Sequence, residues 1–156
     1  MSDTILPPDW DEESENGILF QSEATSFKLD NPTLLTQWIE AVIAQEEKVL
    51  QSLSFIFCND TYLHKINVEY LQHDTYTDII TFPYGRSPKI EGDIFISIDR
   101  VRENAQTFQT SFEEELHRVI IHGVLHLCGY GDKSTEEKAK MRTKEDEALH
   151  LLHNLE

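Results

Sequence analysis

Cations are scarce in this sequence: 13 Lys and Arg stand against 29 Asp and Glu in 156 residues, a formal net charge of −16. Composition therefore gives no general attraction to nucleic acid or to an anionic membrane. The excess is uneven, because residues 1–27 hold seven acids and no Lys or Arg, which leaves −9 on the other 129 residues and room for a local basic face. The lack of a cation before Lys28 also argues against a signal or transit peptide, and no apolar run approaches the roughly 18 residues of a membrane span. A soluble, cytoplasmic protein is expected. Cysteine is nearly missing as well. Cys58 and Cys128 lie in FIFC and VLHLC, apolar settings typical of buried free thiols in a reducing compartment and not of a disulfide. With no internal repeat and no Gly/Ser or Pro linker, residues 1–156 are expected to form a single domain, of which 1–16 is an acidic, loosely ordered N-terminal segment.

Periodicity supplies the elements. GILFQ reads as a first short strand, and Asn31 with Pro32 offers an N-cap and an N1 proline for a helix. Its apolar positions Leu35, Trp38, Ile39, Val42 and Ile43 follow i, i+3, i+4, i+7, i+8 and predict helix as far as Leu50. LSFIFC (53–58) is a strand, Asn59 or Asp60 caps a helix through TYLHKINVEYL, and IITF is a strand closed by Pro83. In EGDIFISI the alternation of Ile94, Ile96 and Ile98 marks a further strand, after which Asp99 starts a helix. Ser111 with Glu114 and Ser134 with Glu137 are capping-box pairs for the last two helices, the first of which Gly129 stops at C′. The order β, α, β, α, β, β, α, α, α predicts an α+β fold, an α/β sandwich with a small mixed sheet of about four strands and about five helices.

Within that scheme HGVLHLCGYGDK (122–133) is the stretch that carries chemistry. Residues four apart on a helix differ by about 40° around its axis, so His122 and His126 point the same way and can share a metal ion. The spacing alone fits hydrogen-bonded core or surface histidines equally well. A zincin-type peptidase is disfavoured, because its general-base Glu belongs directly after the first histidine, where this chain has Gly123. Cys128 and His117 lie on other sides of the helix. A third ligand must come from beyond Gly129, and Asp132 is the good ligand type in GYGDK.

HGVLHLCGYGD resembles the signature of the YbeY family of bacterial rRNA-maturation endoribonucleases, H-G-x-L-H-L-x-G-Y-D-H, with its three metal-binding histidines. NVEYLQHDTYTDIITFP (67–83) is similar to that family's N-x-x-Y-R-x-K/H-D-x-P-T-D-V-L-S-F-P, and EGDIFIS (91–97) to its G-D-I-x-I-S strand. The resemblance implies His122 and His126 as the first two zinc ligands and puts Asp132 where the third histidine belongs. It also implies ribosomal RNA or a ribosomal subunit as partner, with neither DNA nor membrane. The three ligands would act through a metal-bound water, the ion keeping an open position for it. A carboxylate in place of the third histidine makes the site one unit less positive, so Mn²⁺ or Fe²⁺ competes better with Zn²⁺.

The family's phosphate-facing arginine is Leu71 here, while His73 and Asp74 keep the adjacent motif positions as candidate substrate contacts. Arg100 and Arg102, just past the EGDIFIS strand, are the nearest available phosphate binders. Asp78 reads as a turn former, Asp93 as a strand-entry residue, and Lys138, Lys140, Arg142 and Lys144 as a solvated helix face. Two other classes stay in view: a non-catalytic metal-containing module that docks to ribosomal components, and, with least support, a zincin-like peptidase.

Overall fold

The computed structural model describes residues 17–156, so the acidic segment 1–16 lies outside the described residues. Four strands, β1 (Ile18–Ser22), β2 (Val49–Cys58), β3 (Ile79–Pro83) and β4 (Lys89–Ser97), form one sheet in the order β1-β2-β4-β3. The pairs β1·β2 and β2·β4 are parallel and β3·β4 is antiparallel, so the sheet is mixed and β3 is an edge. Five helices accompany it: α1 (Pro32–Gln45), α2 (Asp60–Leu71), α3 (Ile98–Thr107), α4 (Phe112–Leu127) and α5 (Thr135–Leu155). The α+β class, the element order and the strand and helix numbers are those the periodicity predicts.

Most of the core lies on one face of the sheet, where Leu53, Phe55, Phe57, Ile94 and Ile96 meet Trp38 and Ile39 of α1, Ile120 and Val124 of α4, and Leu149 and Leu152 of α5. A smaller cluster of Cys58, Leu63 and Ile80 packs beneath α2. Trp38 is fully buried and its Nε1 donates to the Ala148 carbonyl at 2.7 Å, which ties α1 to α5 while leaving no polar group unpaired. Burial of side chains this large stabilises by about 1.5–3 kcal/mol each. Both cysteines are buried free thiols, as their apolar settings imply, and burial pushes Cys58 up to about 12 and Cys128 to about 11.

Several boundaries differ from the periodic reading. Helix α1 ends at Gln45, not Leu50, because Glu47 takes a left-handed φ of 59° and Val49 already pairs in β2. Asn31 holds the N-cap position of α1 but is itself left-handed and makes no side-chain cap bond. Helix α3 is capped by Ser97, which accepts from the Arg100 N–H, so Asp99 falls inside its first turn. Ser111 caps α4 through the Glu114 N–H, and the reciprocal capping box is complete only at Ser134 and Glu137 of α5. No helix among the described residues is long and apolar enough to cross a membrane.

Candidate metal centre

Helix α4 is held close against the sheet by Gly123. A Cβ there would stand 3.0 Å from Ile79 Cδ1 and 3.1 Å from two Ile94 carbons, so a larger residue would make those side chains or the helix give by a few tenths of an ångström. That close approach presents the next residues of α4 to the pocket at the sheet's β3 edge. The pocket, of about 410 Å³, is walled by Ile79 and Thr81 of β3, and it gathers His122, His126, Asp132 and Glu145. The two imidazole rings lie 6.0 Å apart and 16° from parallel, as one helical turn requires.

The loop that delivers Asp132 is pinned at both ends. On the α4 side Gly129 adopts φ 114°, and the Tyr130 N–H donates to the Leu125 carbonyl at 3.1 Å, satisfying one of the helix's terminal carbonyls. On the α5 side the Glu137 carboxylate accepts from the Lys133 and Ser134 N–H groups at 3.0 and 3.1 Å. Gly131 is needed for space, since a Cβ there would meet that carboxylate at 2.8 Å. Between the two caps Asp132 Oδ2 comes within 3.3 Å of His122 Nε2. The Tyr130 hydroxyl donates to Glu46 Oε1 at 2.7 Å, which fastens the loop to the end of α1.

Both histidines have a fixed far side. His126 Nδ1 lies 2.9 Å from the Tyr130 carbonyl, which can only accept, so Nδ1 carries the proton and Nε2 keeps its lone pair in the neutral ring. His122 Nδ1 lies 2.8 Å from Glu145 Oε2, and the other oxygen of that buried carboxylate accepts from Arg118 Nη1 at 2.8 Å. Arg118 Nη2 is bound in turn to Asp146 at 2.8 Å. A metal-binding histidine characteristically gives its second ring nitrogen to a carboxylate or a carbonyl, and here one of each is present. The donor set thus fits a divalent ion, with two orientable imidazole Nε2 atoms and one carboxylate. Among the described residues no three such side chains already converge as a closed coordination shell; the orientation is preset and the spacing is not.

The pocket is rich in acid: Asp78, Glu115, Asp132 and Glu145 face Arg118 and Arg142. Burial pushes the Asp78 and Glu115 carboxyls up, and Arg118 and Arg142 offset part of that push at Glu115. Burial alone would lower His122, but the Glu145 hydrogen bond and charge, with Asp132 and Asp78 beyond, raise it above its usual 6.5. A cavity with this balance favours a cation.

The remaining sequence candidates fall elsewhere. Arg100 is not in the pocket: its guanidinium is held by Asp60 Oδ2 and Glu103 Oε1, both at 2.8 Å, and lies over Tyr76. Arg102 stands over the Phe112 ring, again outside the pocket. Asp74 binds His64 Nε2 at 2.8 Å. His73 and Leu71 line a neighbouring depression that shares Thr77, Ile79 and Thr81 with the site. Asp93 accepts from the Tyr84 hydroxyl in mid-strand and is no entry cap. Asp78, Glu115, Arg118, Arg142 and Glu145 are pocket residues that motif reading misses. One signal was available: Glu115, Arg118, His122 and His126 follow i, i+3, i+7, i+11 and form a polar stripe that runs on into the otherwise apolar second half of the helix. A second was Glu145, an acid at a core position of the Met141, Ala148, Leu149, Leu152 stripe.

Fold and site together define a mixed α+β scaffold with a histidine–carboxylate pocket at a sheet edge. The family model described as Endoribonuclease YbeY matches residues 18–153. The Endoribonuclease YbeY of Flavobacterium johnsoniae is 56% identical over 129 residues, covering 83% of this chain and 93% of that one. That of Christiangramia forsetii is 52% identical over 136 residues, with 87% and 94% covered. A Thermotoga maritima protein solved in solution superposes with a TM-score of 0.61 at 26% identity, over 88% of this chain and 92% of its own. The chain belongs to the YbeY endoribonuclease family.

Proposed function

We propose that this protein is a metal-dependent endoribonuclease of ribosomal RNA maturation, working in the cytoplasm on ribosomal RNA or a ribosomal subunit. The observation that carries the metal reading is the pair of imidazoles whose Nδ1 atoms are occupied by Glu145 and the Tyr130 carbonyl, which leaves both Nε2 lone pairs for the pocket beside Asp132. His122, His126 and Asp132 are the residues that would hold the ion. A divalent ion bound there supplies Lewis acidity toward water and toward a phosphoryl oxygen. Zn²⁺ is the first choice, and the carboxylate makes Mn²⁺ or Fe²⁺ better competitors than at a three-histidine site.

The chain's own residues do the rest. Glu145, clamped by Arg118, fixes the His122 ring and its tautomer, and the loop between Gly129 and Ser134 sets the approach of Asp132. The net charge of −16 and Leu71 in place of the motif's arginine also suit a non-catalytic ribosome-docking module, and one experiment separates the two. Purified protein with its metal quantified is tested on structured and single-stranded RNA, with and without chelator. Cleavage should stop on chelation and return with Zn²⁺. Cleavage that survives complete metal removal would sink the metal mechanism, and RNA bound but never cut by loaded protein would establish the docking module.

A further inference from the structure

The pocket's two arginines are not equivalent. Arg118 is 16% exposed and its fork is fully engaged, one nitrogen on Glu145 and the other on Asp146, each at 2.8 Å. Displacing the Nη1 bond to reach a substrate would unfasten the carboxylate that orients His122, and Nη2 is already taken by Asp146. Arg142, nearly one turn earlier on α5, lines the same pocket as His122, His126 and Asp132 and also the adjoining depression walled by Phe108, Thr110 and Glu114. It is exposed and makes no hydrogen bond or ion pair among the described residues, although its charge favours ionisation of Glu115. Its neighbour Lys144 is no rival, being paired with Glu46 at 3.2 Å on the way to Tyr130.

Resting on the endoribonuclease reading, we propose that Arg142 binds a backbone phosphate of the RNA strand, the role that Leu71 cannot fill. The chemistry is that of a planar guanidinium with its donors free, which matches a phosphodiester bidentately. The setting sharpens it, because four carboxylates share the pocket and a polyanion entering it meets one uncommitted cation. Leu71 and His73 line the next depression along β3, so a strand passing there meets an apolar side chain where the family's motif has its arginine.

Charge removal at this position acts with opposite sign on the two ligands. Arg142→Gln takes a positive charge from an acid-rich pocket, so metal should bind as tightly as before or more tightly while RNA binds more weakly. A labelled single-stranded oligoribonucleotide is titrated into metal-loaded wild type, Arg142→Gln, Arg142→Lys and Lys140→Gln over a salt series, and metal content is measured on the same samples. Lys140 lies outside the pocket on the same helix and controls for net charge. Arg142→Gln should lose roughly five- to tenfold in RNA affinity at low salt and flatten the log K against log salt slope by about 0.7, one phosphate contact on a single strand. Arg142→Lys should recover most of the slope, and Lys140→Gln should match wild type. The proposal is overturned by wild-type affinity and slope in Arg142→Gln, by an equal loss in Lys140→Gln, or by joint loss of metal and RNA, which would mark collapse of the site. Should loaded wild type fail to bind RNA at all, the endoribonuclease reading itself falls, and Arg142's role falls with it.

Discussion

Glu145 is the residue on which the arrangement of the site depends most. Its side chain is 7% exposed, one oxygen holds His122 Nδ1 and the other holds Arg118, so it fixes a ring that has no other partner on that side. Glu145→Gln keeps an acceptor for the Nδ1 proton but removes the charge. Glu145→Ala removes both and leaves Arg118 with Asp146 alone. Loss of such an outer partner weakens metal affinity by about 10–100-fold, or about 1.4–2.7 kcal/mol, with Gln near the lower end and Ala near the upper. Ala should also destabilise the metal-free protein by about 2 kcal/mol through the lost charge-assisted bonds to a buried group. The assay is competition for Zn²⁺ against a chromophoric chelator, with denaturant unfolding of the metal-free proteins alongside.

A pH signature accompanies this. Glu145 raises the folded-state pKa of His122 above 6.5, so that part of the metal-free protein's stability is fully present below the unfolded value and is lost as pH rises through the folded one. The stability gap between wild type and Glu145→Gln should therefore be widest at low pH and narrow upward. Wild-type metal affinity in both variants would refute the positioning argument, whatever happens to stability.

Three further outcomes follow from the same geometry. Asp132→Asn should weaken metal binding roughly tenfold or more while Asp132→His keeps the metal and shifts preference toward zinc, both read by competition titration. Because the raised His122 pKa makes protons compete with metal from above pH 6.5, wild-type metal content after dialysis should fall as pH drops through that raised value; flat occupancy down to pH 5 would place the ion elsewhere. Gly92→Ala should cost about 2 kcal/mol in denaturant unfolding and loosen the pocket wall, since its Cβ would stand 2.6 Å from the Phe82 carbonyl of paired strand β3.

The elements were legible because each carries a local signal. Alternating isoleucines mark β4, and the i, i+3, i+4 stripe from Leu35 marks α1. What local pattern does not carry is where the chain stops obeying it. Val49 and Leu50 lie seven residues after Val42 and Ile43 and so continue the helical period past Gln45, yet they are taken by pairing with Lys89 and Ile90, forty residues away. The site divides in the same manner. His122, His126 and Asp132 share one stretch of chain, and their spacing on a helix followed by a glycine break already implies a meeting. Glu145 and Arg142 reach the pocket only because α5 packs back across α4, and a charged helix of mixed sign gives little sign of which charges turn inward. Arg100 shows the reverse failure. Proximity to the strand end made it a candidate, but Asp60, forty residues earlier, claims its guanidinium.

The most direct test of the proposed metal centre is anomalous diffraction from crystals of the zinc-loaded protein, recorded at the zinc absorption edge. One peak per chain is predicted, within about 2.0–2.2 Å of His122 Nε2, His126 Nε2 and an Asp132 carboxylate oxygen, with both Nδ1 contacts intact. A peak bound elsewhere, or none in protein that still cleaves RNA, would contradict it.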